Sequence, residues 1–211
     1  MIERALPGIH EVVLETVASL GIPRAGRILD CGPGTGAWVS RLLGAGYSDI
    51  TAIGIDRGDY QGPAPFVVGD LNESFAEKLP GGYDLITAIE VIEHLESPAL
   101  FLRQCRSLLK PGGRLVLSTP NIESAPGRLK FLSSGQFRWF DAHGDPTHIT
   151  PVSRALLERL AGRCGFQIES GRPAPGRRWS GTAAWKTPLC LAVTLVFRGD
   201  LTGDCRIFVL L

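Results

Sequence analysis

The sequence predicts a doubly wound α/β domain built on a mostly parallel sheet. Three observations carry the prediction. Short apolar runs of strand length alternate with segments of helical period along the first 120 residues. A glycine-rich turn joins the first of these strands to the helix after it. The chain has 211 residues, 44% hydrophobic and 20% charged, which is enough for one full core and too little for two ordinary ones.

Taken in order, Ile9, Val12, Val13, Val17 and Leu20 recur at helical spacing until Gly21-Ile22-Pro23 stops them, so residues 1–24 hold an amphipathic helix. Arg27-Ile28-Leu29-Asp30 is a buried strand running into the turn Cys31-Gly32-Pro33-Gly34-Thr35-Gly36, and Ala37 to Leu43 resumes as helix. Further strands fall at Ile50 to Ile55, Phe66 to Val68 and Tyr83 to Ile89. A helix from Ala99 to Leu109 then stops at Pro111-Gly112-Gly113, before a fifth strand from Arg114 to Ser118. Residues 25–120 thus form a core of βαβ units. Periodicity is lost over 121–150, a Gly/Ser-punctuated stretch carrying Phe131, Phe137, Trp139 and Phe140 among Arg128, Lys130 and Arg138, which predicts an insertion over the site, either a substrate lid presenting aromatics and cations to an acceptor or a loop packing its own aromatics on the domain. Residues 151–211 add a helix from Ser153 to Cys164, a strand from Phe166 to Glu169 and a Gly/Pro/Arg-rich loop from Gly171 to Gly181. They end in an apolar segment, 185–197, that fits helix or strand and a terminal strand from Arg206 to Leu211. The whole, 1–211, reads as one domain.

Composition excludes several function classes. A formal net charge of +1 carries no bulk cationic excess, so nucleic acid is not the expected partner. Five scattered cysteines without a CxxC pair argue against a disulfide framework or a structural zinc, and fit the cytoplasm. Glu3 and Arg4 precede no apolar signal region, and the longest apolar run, Leu189 to Phe197, is about half a membrane-spanning helix. Arg177, Arg178, Trp179, Trp185 and Lys186 just before that run leave a peripheral membrane contact open beside the more ordinary readings of core packing or a homodimer contact.

In an open α/β sheet the ligand sits beyond the carboxyl ends of the strands, and Gly32, Gly34 and Gly36 free the backbone to turn sharply against it. Asp56, some twenty residues on, is the acid a nucleotide-like cofactor needs for its ribose hydroxyls. To this point NAD and S-adenosylmethionine fit alike, as does a glycine turn without ligand.

The string Ile28-Leu29-Asp30-Cys31-Gly32-Pro33-Gly34-Thr35-Gly36 resembles the first motif of class I S-adenosylmethionine-dependent methyltransferases. The resemblance continues through Gly54-Ile55-Asp56, Gly69-Asp70-Leu71, the segment Tyr83 to Leu95, and Leu108-Leu109-Lys110-Pro111-Gly112-Gly113, covering roughly residues 25–170 in register. It implies a Rossmann-like, seven-stranded sheet whose last strand inserts antiparallel near Arg206 to Leu211. It also implies a cofactor cradled by the backbone at Gly32, Gly34 and Gly36, with Asp30 near its amino group and Asp56 on the ribose. Arg57 would then cover the adenine, Asp70 and Leu71 face its edge, and Glu90 close the methionine end. Carboxylates at the strand ends suit a sulfonium cation better than its neutral product.

Glu90-Val91-Ile92-Glu93-His94 is similar to the motif of ubiquinone-biosynthesis O-methyltransferases and of small-RNA 2′-O-methyltransferases, where it can bind a divalent metal. The resemblance adds His148, in Asp145-Pro146-Thr147-His148, as a fourth ligand beside Glu90, Glu93 and His94. If the stretch is helical, Glu93 and His94 share a face with Glu90. The plainer alternative is that Glu90 binds cofactor while Glu93 and His94 open a helix. His94 or His148, ahead of His143, is also a candidate general base. The function expected is methyl transfer from S-adenosylmethionine to a small-molecule acceptor, with oxygen favoured over nitrogen or carbon. An NAD-dependent oxidoreductase and a catalytically silent cofactor-binding module are the alternatives, in a monomer or homodimer.

Overall fold

Apolar runs flanked on both sides by amphipathic helices force a sheet buried on both faces. The computed structural model, which describes residues 2–142, 144–175, 187–196, 199 and 201–211, has this form. Its strands are β1 (Arg27–Cys31), β2 (Asp49–Gly54), β3 (Phe66–Val68), β4 (Tyr83–Ile89), β5 (Leu109–Pro120), β6 (Ile168–Ala174) and β7 (Cys205–Leu210). They form one seven-stranded sheet in the order β3-β2-β1-β4-β5-β7-β6. The first five are parallel, and β7 lies antiparallel between β5 and β6, as the resemblance implied.

The chain steps outward from β1 to β3, then returns to β4 on the other side of β1. A crevice therefore opens beyond the carboxyl ends of β1 and β4, where the winding reverses. Helices α1 (Ile9–Ser19) and α2 (Ala37–Gly44) cover one face through Ile9, Val13, Val17, Trp38 and Leu42. Helices α3 (Pro98–Leu108) and α5 (Arg154–Arg163) cover the other through Phe101, Leu102 and Leu157. Ser97 and Ser153 cap α3 and α5 by accepting from the amides of Leu100 and Leu156, each worth about 1 kcal/mol.

Four sequence readings change. The insertion contains a helix, α4 (Ala125–Ser134), capped by Ser124 with Pro126 in its first turn; its apolar residues do not line one face, which hid its period. The segment 185–197 holds a helix, α6 (Thr187–Val196), packed on α4. The start of the expected loop at Gly171 is strand: β6 continues to Ala174, where an edge position tolerates Pro173 and the bare Gly171 accepts the ring of Phe208. Strand β5 begins at Leu109 and absorbs the Pro111-Gly112-Gly113 turn. The rest of that loop, with Arg177, Arg178, Trp179, Trp185 and Lys186, lies outside the described residues, as does His143. All five cysteines are free and buried. No described helix is long and apolar enough to cross a membrane.

Candidate functional site

A cavity of about 740 Å³ occupies the crevice at the winding reversal. Every residue the resemblance assigned to the cofactor lines it except Gly36, and so do His94 and His148. Gly36 acts one step back: at φ 86 it caps α2, and a Cβ there would lie 2.6 Å from the backbone of Gly62. Gly32, at φ 71, is equally obligatory, since its Cβ would meet Val91 at 2.6 Å.

Asp30, at the end of β1, is 2% exposed. The hydroxyl of Thr87 donates to its Oδ1 at 2.8 Å, and Trp38 Nε1 donates to that hydroxyl at 3.1 Å. Its Oδ2 has no protein partner. Burial raises its carboxyl to about 7, against the lowering effect of the Thr87 hydrogen bond. A buried carboxylate with one oxygen satisfied and the other orphaned is built for a cationic ligand. Asp56 is exposed at the end of β2, and the glycine at position 58 leaves room for its Oδ1, which a Cβ there would approach to 2.6 Å. Asp70 lends its Oδ1 to the amide of Asn72 at 2.8 Å, so it serves as a turn residue and as a wall of the cavity at once.

Glu90 departs from the sequence reading. It is not in a helix with Glu93 and His94: it stands at φ 54, a strained value for a non-glycine residue, and a 3-10 turn begins only at Ile92. Its Oε1 accepts from Ser118 Oγ at 2.8 Å and its Oε2 from Cys205 Sγ at 3.2 Å, across the tips of β5 and β7. Burial and the adjacent Glu90 keep the Cys205 thiol protonated, so the thiol donates.

Glu93, His94 and His148 do converge, with ligand atoms within 4.8 Å of one another; Glu90 is not part of this group. The convergence has a backbone cause. The amides of Ile149 and Thr150 donate to the carbonyl of Glu93 at 3.0 and 2.9 Å, which pins the end of the insertion on the 3-10 turn. The two imidazole rings then meet edge to face at 4.7 Å. His148 Nδ1 lies 2.9 Å from the carbonyl of Trp139, an acceptor only, which assigns its proton to Nδ1 and its lone pair to Nε2. His94 Nδ1 faces the Thr147 carbonyl at 3.2 Å and the Thr147 hydroxyl at 2.8 Å, and that hydroxyl donates to Asp145 at 2.6 Å. His94 therefore has the same tautomer, and burial, with His148 beside it, holds it below the ordinary histidine range. Glu93 is fully buried with no hydrogen-bond partner on either oxygen; burial, then repulsion by Glu90, pushes its carboxyl well up. An orphaned buried carboxyl within 4.8 Å of two imidazole nitrogens fits a divalent cation with three protein ligands, not the four expected from sequence.

The insertion splits its aromatics. Trp139, at the positive φ of 74, stands at the main cavity, and Phe140 packs 5.3 Å from the ring of His148, which lines it. Phe131 and Phe137 stack 5.0 Å apart beside a second cavity of about 420 Å³. Of its cations, Lys130 pairs with Asp141 and Arg138 with Asp204 at 2.7 Å, while Arg128 donates to the Glu123 carbonyl at 2.9 Å and lines the second cavity.

Residues 4–170 match the model of a family described as a methyltransferase domain. The chain belongs to the S-adenosylmethionine-dependent methyltransferases. A ubiquinone biosynthesis O-methyltransferase of Xanthomonas axonopodis pv. citri is 31% identical to this methyltransferase over 182 residues, covering 79% of this chain and 73% of the relative. A probable S-adenosylmethionine-dependent methyltransferase of Mycolicibacterium smegmatis is 30% identical over 185 residues, 79% and 65% of the two chains. The methyltransferase thus spans just under two thirds of that relative, and its alignment to a ubiquinone biosynthesis O-methyltransferase of Pseudomonas aeruginosa covers 44% of that protein. Among solved structures, an Archaeoglobus fulgidus S-adenosylmethionine-dependent methyltransferase superposes with a TM-score of 0.65 at 19% identity, covering 95% of this chain and 93% of that one. Magnesium protoporphyrin IX methyltransferase of Synechocystis PCC 6803, solved with bound S-adenosylhomocysteine, gives 0.60 at 20%, covering 95% and 80%.

Two parts of the methyltransferase site escaped the sequence reading. The N-terminal segment crosses the cavity mouth: the Ile2 carbonyl accepts from Thr35 at 2.7 Å, Arg4 pairs with Asp59, and His10 and Leu6 join the wall. His10 lies three residues before Val13 and seven before Val17, on the buried stripe of α1, and that spacing was the available signal. Ser118 and Cys205 carried no signal, because only the sheet order brings them to Glu90.

Proposed function

We propose that this methyltransferase moves the sulfonium methyl of S-adenosylmethionine to an oxygen of a small-molecule acceptor. The observation that carries the reading is the histidine pair, two imidazoles that line the cofactor cavity with Nδ1 engaged by the protein, which leaves the lone pair on Nε2. Asp30, Asp56 and Glu90 hold the cofactor by its cationic and ribose ends, with Arg57, Asp70 and Leu71 around the adenine. Trp139 excludes water around the acceptor, and Phe140 supports the His148 ring from beside it. One histidine, His148 or His94, accepts the hydroxyl proton while the oxygen–methyl bond forms and the sulfur–methyl bond breaks in line, giving the methyl ether, S-adenosylhomocysteine and an imidazolium. The names of the ubiquinone-biosynthesis relatives support oxygen as the acceptor atom, and five buried free cysteines fit a cytoplasmic location.

A second reading keeps the same reaction and adds a divalent cation, favoured by the orphaned carboxyl of Glu93. Glu93, His94 and His148 would hold it, and when bound it would act as a Lewis acid that lowers the pKa of the acceptor hydroxyl. The family assignment removes the oxidoreductase alternative, so calorimetry should give binding of S-adenosylmethionine and none of NAD. A screen of phenol and catechol acceptors then separates an active enzyme from a silent cofactor-binding module: turnover supports the proposal, and cofactor binding without any methylated product across phenols, amines and carbon acids would sink it.

Asp30 makes the cofactor step pH-dependent. Its carboxyl, raised to about 7 by burial, is neutral at low pH, and a cationic ligand favours the charged form. Affinity for S-adenosylmethionine should therefore rise about ten-fold from pH 6 to pH 8, with proton release on binding at the acid end. Calorimetry in buffers of different ionisation enthalpy measures both, and a flat profile would remove Asp30 from the cationic end.

A further inference from the structure

Glu90 is held in a way that its neighbours in sequence do not explain. It follows β4 at φ 54, a backbone conformation that persists in a non-glycine residue only where the surroundings impose it. Two other strands do so. The amide of Glu90 donates to Ser118 Oγ at 3.0 Å, and that hydroxyl donates back to Glu90 Oε1 at 2.8 Å, so Ser118 on β5 grips both the backbone and the side chain of the residue. The other carboxylate oxygen, Oε2, accepts from the thiol of Cys205 at 3.2 Å.

Cys205 opens β7 and pairs in register with Pro120 of β5 and Ala174 of β6. It is fully buried, in the apolar cluster that includes Ala174, Ile207 and Val209, where a cysteine ordinarily does no more than fill space. The hydrogen bond gives it more to do. A buried acceptor without a donor is costly, and Glu93, three positions after Glu90, shows that alternative, since neither of its oxygens has a partner. Glu90 has a donor on each oxygen, and donors to a carboxylate favour its charged form and fix its orientation. Of the two carboxyls, Glu90 is therefore the one prepared to meet a cation, and it lines the cofactor cavity.

We infer that Cys205 is a positioning residue for cofactor binding, its thiol locking the Glu90 carboxylate in the orientation that receives the cationic methionine end of S-adenosylmethionine. The inference rests on the reading of Glu90 as the group that closes that end. Cys205 does not itself line the cavity, so β7 acts on the ligand through Glu90 alone.

Calorimetry of the full chain with S-adenosylmethionine separates this role from packing. Cys205→Val keeps an apolar side chain of similar size and removes the donor. It should raise Kd by about ten-fold, the low end for a hydrogen bond to a charged group, because a thiol is a weak donor. Cys205→Ser keeps a donor and should bind within about two-fold of the parent. A packing role predicts the reverse order, since valine fits an apolar cluster and a hydroxyl does not. Glu90→Gln should weaken binding at least as much as Cys205→Val, and in that background Cys205→Val should add nothing, because the thiol acts through the carboxylate. The melting temperature checks folding, and Cys205→Ala takes the place of a valine variant that fails to fold. Three results would overturn the inference: parent-like affinity in Cys205→Val while Glu90→Gln is weakened, a loss in Cys205→Ser equal to that in Cys205→Val, or losses that add in the double variant. Parent-like affinity in Glu90→Gln would instead remove Glu90 from the methionine end, and the inference with it.

Discussion

His148→Ala should lower the rate of methyl transfer by about 10²- to 10⁴-fold, the range expected for loss of a positioned general base. Its affinity for S-adenosylmethionine should hardly change. The size follows from how well the ring is placed: the Trp139 carbonyl fixes its tautomer, and the amides of Ile149 and Thr150 bolt the neighbouring backbone to Glu93. No water or solvent-exposed side chain replaces a base held that firmly. Two further measurements divide the readings of the site. If His148 is a base alone, the variant recovers part of its rate as pH rises and EDTA leaves the parent enzyme active. If His148 is also a ligand, EDTA abolishes transfer in the parent while cofactor binding survives, and raising pH does not restore the variant. A variant as active as the parent would remove His148 from the chemistry under either reading.

Asp56→Ala should weaken S-adenosylmethionine by about 2 to 3 kcal/mol, two charge-assisted hydrogen bonds to the ribose, or about 30- to 160-fold in Kd. Asp56 is exposed at the tip of β2, so its loss removes no buried contact, and the melting temperature without ligand should stay put. That separation matters, because Asp30→Ala would mix lost binding with the relief or disturbance of a buried Trp38–Thr87–Asp30 chain. Unchanged affinity in Asp56→Ala would reassign the ribose.

The sheet and its cofactor end were legible in the sequence because both rest on local signals. Strand β1, the turn at Gly32 to Gly36 and Asp56 lie within thirty residues, and each constraint on them is a property of the nearby backbone. The histidine pair was reachable only through resemblance, because His94 and His148 are fifty-four positions apart and meet through backbone hydrogen bonds that any residue could make. The conditional placement of Glu90 beside Glu93 failed for a different reason. Helical spacing was assumed where the chain leaves β4 through a left-handed residue, and Glu90 is strained into that conformation by partners on β5 and β7. Helix α4 was missed although Ser124 and Pro126 are a regular start signal, since a helix packed mainly through its first turn shows no apolar stripe.

The position of β7 has a consequence for synthesis. Strands β1 to β5 are all synthesised by residue 120, and their parallel order needs nothing that comes later. At that moment β5 is a long apolar edge, Leu115-Val116-Leu117, whose backbone partners are residues 207–210 at the far end of the chain. For roughly ninety residues of elongation the nascent sheet offers an unpaired strand to any neighbour. The latest made of the seven strands is the one that seals it, and it brings the thiol of Cys205 to Glu90 in the same event, so a chain cut before residue 205 would be both adhesive and missing one support of its site.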